Sequence, residues 1–347
     1  MIGRQLCRPV RIRVIGRGPR GRLLLAGAVV LALGARAGAQ APPATAPPRP
    51  PDRIPLSRLT PDAAIAVSAG PGIAVAADMV WVATSSEARA IRRIDPTTNT
   101  VTAEVRVDHP PCASLALAFD SLWVPLCAGG TTVRVDAAKG TQTGSVALAP
   151  AAAGGRIAVA VGSVWIATGD AGVVSRVDPA TNEAVAEVYV ARRPVAVAGS
   201  DDGLWVSSED GDVVTQVNPH TNAVVESTKV GPRPGRIAVG EGGVWVLNRG
   251  DGSVTRLDPK TAKVVATIAV DAAIADGEIA AGEGSVWISA PGVPLVRIDP
   301  RSNRAVQRFE GGGGGAVVTG HGSVWVSAGP GLLWRLDPQL VAATRPD

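Results

Sequence analysis

Residues 236–270 read RIAVGEGGVWVLNRGDGSVTRLDPKTAKVVATIAV. Four runs rich in β-branched residues are separated by Glu241-Gly242, Asp251-Gly252 and Asp258-Pro259, and each of these pairs is a turn signal. Runs such as residues 237–239, IAV, are apolar at consecutive positions, which indicates a sheet buried on both faces. The stretch therefore predicts a four-stranded antiparallel meander packed between neighbouring sheets.

A tryptophan with the same surroundings recurs along the chain. The positions are Trp81, Trp123, Trp165, Trp205, Trp245, Trp287 and Trp325, spaced 38 to 42 residues apart. About 13 residues after each comes an acidic or amide residue, usually followed by proline, as in Asp95-Pro96 and Asn218-Pro219. A period near 40 is typical of propellers and solenoids, and no repeat has the polar outer face of a solenoid cap. We predict an all-β protein, a single seven-bladed β-propeller of four-stranded antiparallel blades over residues 63–347.

The two ends of this region also fit a closed ring. The last repeat ends without a convincing outer strand, whereas residues 63–67, AAIAV, precede the first tryptophan and match residues 266–270, ATIAV. We expect this N-terminal strand to complete the last blade, which would lock the ring.

The N-terminus has the parts of a secretory signal. An arginine-rich start is followed by an apolar run at residues 23–35 and by small residues at Ala37 and Ala39. We predict a signal peptide over 1–39, a Pro-rich linker over 40–62, and a periplasmic or secreted protein. The apolar run is short for a span of about 20 residues, so no membrane span is expected after signal removal, with an uncleaved anchor as the alternative.

Charge and composition argue against nucleic acid as a partner. The formal net charge is +4, but eight of the 34 basic residues lie within residues 1–39, which contain no acid. The remainder therefore carries 26 basic and 30 acidic residues, with few aromatic side chains for stacking on bases. We expect a monomer that binds no nucleic acid.

Two cysteines are placed to form a disulfide. Aligning the blades on tryptophan puts the turn of the second blade at Phe119-Asp120, so Cys112 and Cys127 face each other across one hairpin. Opposed residues in an antiparallel pair have Cα atoms about 5.5 Å apart, which a disulfide spans. An oxidising compartment agrees with this pairing, and two reduced buried thiols are the alternative.

The repeat also carries a resemblance. Residues 162–185, GSVWIATGDAGVVSRVDPATNEAV, and the matching stretches resemble the YncE-like or YVTN-type propellers and, more loosely, the streptogramin (virginiamycin B) lyases. The resemblance covers about residues 63–340 and implies a recognition scaffold. In the lyases the residue three after the blade tryptophan is often Glu, and a catalytic His follows a Pro. The positions after tryptophan here are Thr84, Leu126, Thr168, Ser208, Asn248, Ala290 and Ala328, and Gly235 stands where the His would be.

The loops after each tryptophan strand and before each inner strand form one face of the ring. We call this face the top face. Its candidate ligand-binding residues are Arg156, Arg193, Glu209, Arg233, Arg236, Asn248, Arg249 and Glu278. Arginine is enriched at recognition sites. We predict a scaffold that binds an envelope protein or a small polar ligand, with no catalytic group and no cofactor identified. Asp210 and Asp212 are candidates for holding Ca²⁺, and Mg²⁺ is the other metal ion considered. A metal-assisted lyase or hydrolase at the channel mouth is the alternative.

Overall fold

The computed structural model describes residues 50–346 except 68, 77, 85–88, 152–155, 201, 273 and 275. The predicted signal peptide and the first part of the predicted linker, residues 40–49, lie outside the described residues. Two strands precede the first blade: β1 (Asp52–Pro55) and β2 (Ala63–Ala66). No helix in the described part of the chain is long and apolar enough to cross a membrane.

The described strands that follow form seven antiparallel sheets in sequence order, and each sheet is one blade. Blade one contains β3 (Ala69–Val75), β4 (Val80–Thr84), β5 (Ala90–Asp95) and β6 (Thr100–Arg106). Blade two contains β7 (Ala116–Ala118), β8 (Ser121–Leu126), β9 (Thr131–Asp136) and β10 (Gln142–Val146). Blade three contains β11 (Ile157–Ala160), β12 (Ser163–Gly169), β13 (Val173–Asp178) and β14 (Glu183–Tyr189). Blade four contains β15 (Pro194–Ser200), β16 (Gly203–Ser208), β17 (Val213–Asn218) and β18 (Ala223–Lys229).

The remaining three blades complete the ring. Blade five contains β19 (Pro234–Gly240), β20 (Gly243–Asn248), β21 (Ser253–Leu257) and β22 (Val264–Ala269). Blade six contains β23 (Glu278–Gly282), β24 (Ser285–Ala290), β25 (Val293–Asp299) and β26 (Arg304–Glu310). Blade seven contains β27 (Val317–Gly320), β28 (Ser323–Gly329) and β29 (Leu332–Leu336), and α1 (Pro338–Ala343) follows it. The predicted all-β, seven-bladed propeller is confirmed.

The N-terminal strand closes the ring as predicted. Strand β2 pairs antiparallel with β29, with Ala64 opposite Trp334, and so supplies the outer strand of blade seven. Strand β1 is a difference from the prediction, because it lies within the stretch expected to be a linker. It pairs in parallel with β26 and makes blade six five-stranded, and Ile54 is fully buried.

The hydrophobic core lies between adjacent blades. All seven predicted blade tryptophans are at most 1% exposed. Trp245 of blade five packs with Ile279, Val286 and Ile288 of blade six, and the same arrangement repeats around the ring. This packing buries the tryptophan strands on both faces, whereas outer strands such as β18 are largely exposed.

An arginine opposite the tryptophan joins most blades to the next. In blade five, Arg256 pairs with Trp245 across the sheet, and its guanidinium carbon lies 4.8 Å from the indole centroid. Its Nη1 donates to Pro300 O and Asn303 Oδ1, both at 2.7 Å, in the turn of blade six. Equivalent contacts from other blades start at Arg134, Arg176 and Arg335. The arginine belongs to an R-x-D stretch that recurs in most blades, and the tryptophan spacing alone does not reveal its contact with the next blade.

Candidate functional site

The inner strands of the seven blades surround the central channel and share one position, two residues before the residue opposite the blade tryptophan. Four of these equivalent positions carry small residues, namely Gly72, Ser114, Ala196 and Ala316. The other three carry Arg156 in blade three, Arg236 in blade five and Glu278 in blade six. The structure thus brings three of the predicted site residues together. We call Arg156, Arg236 and Glu278 the mouth triad.

The mouth triad is a charged cluster in which Glu278 contacts both arginines. Its Oε1 accepts a hydrogen bond from Arg236 Nε at 2.7 Å, and its Oε2 forms an ion pair with Arg156 Nη2. Arg156 and Glu278 belong to blades three and six, which are not neighbours, so their ion pair crosses the channel. The side chains are 19% (Arg156), 16% (Arg236) and 12% (Glu278) exposed. Charges this poorly solvated interact more strongly than a surface pair.

Four more of the predicted residues meet nearer the rim of the same face. Glu209 has a side chain only 8% exposed, and its Oε2 accepts a hydrogen bond from Arg193 Nη2 at 2.6 Å. Its Oε1 forms an ion pair with Arg249 Nη2 and lies 3.8 Å from Arg233 Nη2. We call Arg193, Glu209, Arg233 and Arg249 the rim cluster. The exposed members are Arg193 at 59% and Arg233 at 64%.

The repeat explains how the rim cluster forms. Glu209 and Arg249 each follow their blade tryptophan by four residues, so they occupy equivalent places in blades four and five. Arg193 and Arg233 each precede the proline that starts an inner strand, and both have a left-handed backbone, with φ of 53° and 51°. In both blades the loops are joined by a backbone hydrogen bond, from Glu209 N to Arg193 O at 3.1 Å and from Arg249 N to Arg233 O at 2.9 Å. Blades four and five therefore share one loop geometry but carry opposite charges at the equivalent positions Glu209 and Arg249, and these charges form an ion pair.

Gly235 makes room for the side chain of Arg249, a member of the rim cluster. A Cβ atom added at Gly235 would lie 2.8 Å from both Cγ and Cδ of Arg249, so no larger residue fits unless that side chain moves. This is the position at which the lyase pattern has histidine. The role of this glycine was not predicted. Its signal in the sequence is Arg-Pro-Gly at 233–235, where the preceding blade has Arg-Pro-Val at 193–195.

Asn248 differs from its predicted role. It is fully buried, and its Nδ2 donates to Ser253 Oγ and Thr255 Oγ1, both at 2.9 Å. These bonds hold the top of blade five together and do not place the amide on the surface. Thr84, Leu126, Ser208 and Ala290, at the equivalent position in other blades, are buried as well.

The two carboxylates considered for a cation contact neighbouring protein groups. Asp210 lies 3.6 Å from Arg193 Nη1, and Asp212 Oδ1 accepts a hydrogen bond from Arg233 N at 2.8 Å. Within the described ranges, no group of three or more His, Cys, Asp or Glu residues is arranged to hold a metal ion. Asp212 thus supports the loop that carries Arg233, a role that the sequence did not indicate.

The predicted disulfide between Cys112 and Cys127 is confirmed, and the two Cα atoms are 5.7 Å apart. Leu117 lies opposite Leu122 around the Phe119-Asp120 turn, which is the register used for the prediction. Both turn residues have positive φ, 56° and 53°, as expected for a two-residue hairpin. The disulfide joins the entry loop of blade two to the end of its tryptophan strand.

A comparison of the sequence with protein-family models finds no match, and neither does a comparison with curated proteins. Solved structures do match. Virginiamycin B lyase from Staphylococcus aureus has a TM-score of 0.66 at 17% identity, over 79% of this chain and 98% of that one. Kuenenia stuttgartiensis hydrazine synthase has a TM-score of 0.66 at 14% identity, over 79% and 97%. BamB from Moraxella catarrhalis has a TM-score of 0.58 at 13% identity, over 76% and 82%.

These proteins differ in what their names describe, and every identity is below 20%. The likeness therefore concerns the fold and not the chemistry. The resemblance to the streptogramin lyases inferred from the sequence is confirmed at that level: this chain has the seven-bladed β-propeller fold that the streptogramin lyases have.

Proposed function

We propose that this protein is an exported binding scaffold whose top face, over blades three to six, docks an envelope protein or a small polar ligand. The observation that carries the proposal is the rim cluster. One buried carboxylate, that of Glu209, orients three arginines, and two of these present most of their side chain to solvent. The disulfide supports an oxidising location such as the periplasm or the medium.

The physical advantage of this arrangement is that the arginines are ordered before a partner arrives. Fixing a flexible side chain on binding costs about 0.5–1.5 kcal/mol. Arg193 is held in place by hydrogen bonding to Glu209, and the loop of Arg233 is held by Asp212. Part of the entropy lost on fixing these side chains is therefore already lost in the free protein. A guanidinium held in this way keeps donors for a carboxylate or a carbonyl oxygen of a partner.

The test is capture of a partner by the full chain with a C-terminal tag, after cross-linking in a cell-envelope extract. The variant Arg193→Ala/Arg233→Ala/Arg249→Ala removes the cations of the rim cluster. The matched control is Arg106→Ala on β6 of blade one, because that side chain is 86% exposed and far along the chain from the cluster. We expect a stoichiometric partner with the wild type and the control, and its loss with the triple variant.

The folding of the triple variant is checked separately, because Arg249 is only 23% exposed and leaves Glu209 without its closest partner. The double variant Arg193→Ala/Arg233→Ala changes only the exposed arginines and leaves Glu209 paired with Arg249, so it should still fold. A partner that binds the double variant as tightly as the wild type would refute docking through the rim cluster.

A further inference from the structure

We infer that the mouth triad is a binding site for the carboxylate group of a small organic acid. This deepens the proposed function and rests on it, since it names a ligand class for the inner part of the same face. The inference comes from the charge, the free donors and the space at the channel mouth, taken in that order.

The charge at the mouth favours an anion. Two guanidinium groups face one carboxylate, so the mouth triad has one positive charge in excess. The four equivalent positions in the other blades carry no charge, because they are Gly, Ser or Ala. The side chains of the triad are at most 19% exposed, so solvent screens this excess charge weakly.

The hydrogen-bond donors of the triad exceed its acceptors. Both oxygens of Glu278 already accept bonds from the arginines. Arg156 Nη2 also donates to Ile279 O at 3.4 Å, and Arg156 Nε is buried without an acceptor in the part of the chain that the structure describes. The donor of Arg156 that remains for a ligand is Nη1, which has no acceptor among the described residues. Glu278 is also the only described residue that accepts a hydrogen bond from Arg236, and it does so from Nε alone. Guanidinium groups have five donors each, so the site can take a further acceptor group but offers none of its own charged oxygens.

Glu278 itself shows which acceptor fits. Its carboxylate lies between guanidinium groups from two different blades, one on the far side of the channel. A guanidinium fork matches a planar pair of oxygens, so a second carboxylate suits the remaining donors of the same two groups. The internal carboxylate competes with the ligand for these donors, so removing it should strengthen binding.

The space below the mouth limits the size of the ligand. A cavity of about 290 Å³ follows the channel between the inner strands of blades three to seven. Among the described residues that line it, Arg156 is the only charged one, and the others include Ile157, Ala238, Ala280 and Thr319. This volume is at the lower end of ligand pockets, which run from about 300 to 1,000 Å³. It suits an acid with a short carbon chain.

The experiment measures binding of succinate to the full-length protein by ligand-observed NMR, with dimethyl succinate as the uncharged probe of similar shape. We expect succinate to bind the wild type and the diester not to bind. Arg156→Gln and Arg236→Gln should each weaken succinate binding by about tenfold or more, equivalent to about 1.4 kcal/mol. Glu278→Gln should strengthen it by a similar factor, because it removes the competing carboxylate while keeping the side-chain shape.

The expected effects on succinate affinity are opposite for the arginine variants and for Glu278→Gln, and this difference distinguishes a binding role of the triad from a structural one. If the triad only stabilised the ring, all three variants would lower the melting temperature and none would bind succinate more tightly. Arg106→Gln, on the outer strand of blade one, is the control for a general loss of positive charge. Equal binding of succinate and its ester, unchanged affinity in Arg156→Gln and Arg236→Gln, or weaker binding in Glu278→Gln would each overturn the inference.

Failure of this inference is distinguishable from failure of the proposed function. The rim variant Arg193→Ala/Arg233→Ala leaves the mouth triad intact and should bind succinate like the wild type. If succinate does not bind but the partner still requires Arg193 and Arg233, the carboxylate site is refuted and the scaffold stands. If succinate binds as expected while the partner ignores Arg193 and Arg233, docking through the rim cluster is refuted and the carboxylate site stands.

Discussion

Arg256 joins blade five to blade six, and its replacement by glutamine tests whether this contact stabilises the ring. The wild-type guanidinium stacks on Trp245 at 4.8 Å and donates to Pro300 O and Asn303 Oδ1 at 2.7 Å. Blade four contains the natural counterpart of the variant. There Gln216 reaches Pro259 O at 3.3 Å, and alanine occupies the place of the asparagine.

The expected loss follows from these contacts. The stacking contributes about 0.5–1 kcal/mol at a partly exposed site, and a hydrogen bond from a charged donor about 1.5–3 kcal/mol. Glutamine keeps one weaker bond, and it also removes Arg256 Nε, which is buried without an acceptor among the described residues. We therefore expect Arg256→Gln to lower the free energy of unfolding by about 2–3 kcal/mol. At roughly 2 °C per kcal/mol for a large domain, the melting temperature should fall by about 4–6 °C.

The assay is urea unfolding of the wild type, Arg256→Gln, Asn303→Ala and the double variant. Since Arg256 and Asn303 share a hydrogen bond, the two changes should be coupled by about 1 kcal/mol. Arg106→Gln, at a side chain 86% exposed, should change the free energy of unfolding by less than about 0.5 kcal/mol. The reasoning is refuted if Arg256→Gln unfolds like the wild type, or if Asn303→Ala costs as much in the Arg256→Gln background as alone.

Two further predictions concern the disulfide and the acidic turns. Cys112→Ser/Cys127→Ser should lower the free energy of unfolding in urea by about 3 kcal/mol, because the disulfide closes a loop with a sequence separation of 15 residues. Dithiothreitol should destabilise the wild type but leave the stability of the double variant unchanged. The pKa of Asp258 is lowered mainly by the hydrogen bond from the Thr261 backbone. The ionised Asp258 carboxylate therefore stabilises the folded protein at pH values above the unfolded pKa, and this stabilisation is lost as pH falls through the folded pKa. Asp258→Asn, which copies the amide of Asn218, should therefore show a smaller fall in melting temperature than the wild type between about pH 5 and about pH 2.5. An equal fall in both proteins would contradict it.

The sequence predicted the ring because its signals are local and repeated. The tryptophan, the two-residue turn and the Asp-Pro pair each span a few residues and recur from blade to blade, and the register around Phe119-Asp120 was sufficient to pair two cysteines. The outer strand of blade seven was also predictable, since residues 63–67 copy the outer strand of another repeat. Strand β1 was missed because its pairing depends on the free edge of β26, about 250 residues later, and on a single buried side chain, Ile54.

The sequence placed the candidate site residues on one face but did not determine their partners. Arg156 and Glu278 are separated by 122 residues and meet only because closure of the ring brings blades three and six to opposite sides of one channel. Asn248 is buried and therefore does not reach the surface. Glu209 is also poorly exposed, and it lies at the centre of an arginine cluster. The sequence by itself determined the fold, since repeated local turns and buried apolar strands specify each blade. The tertiary structure decided the site, since charges pair according to distance across the channel and not according to position along the chain.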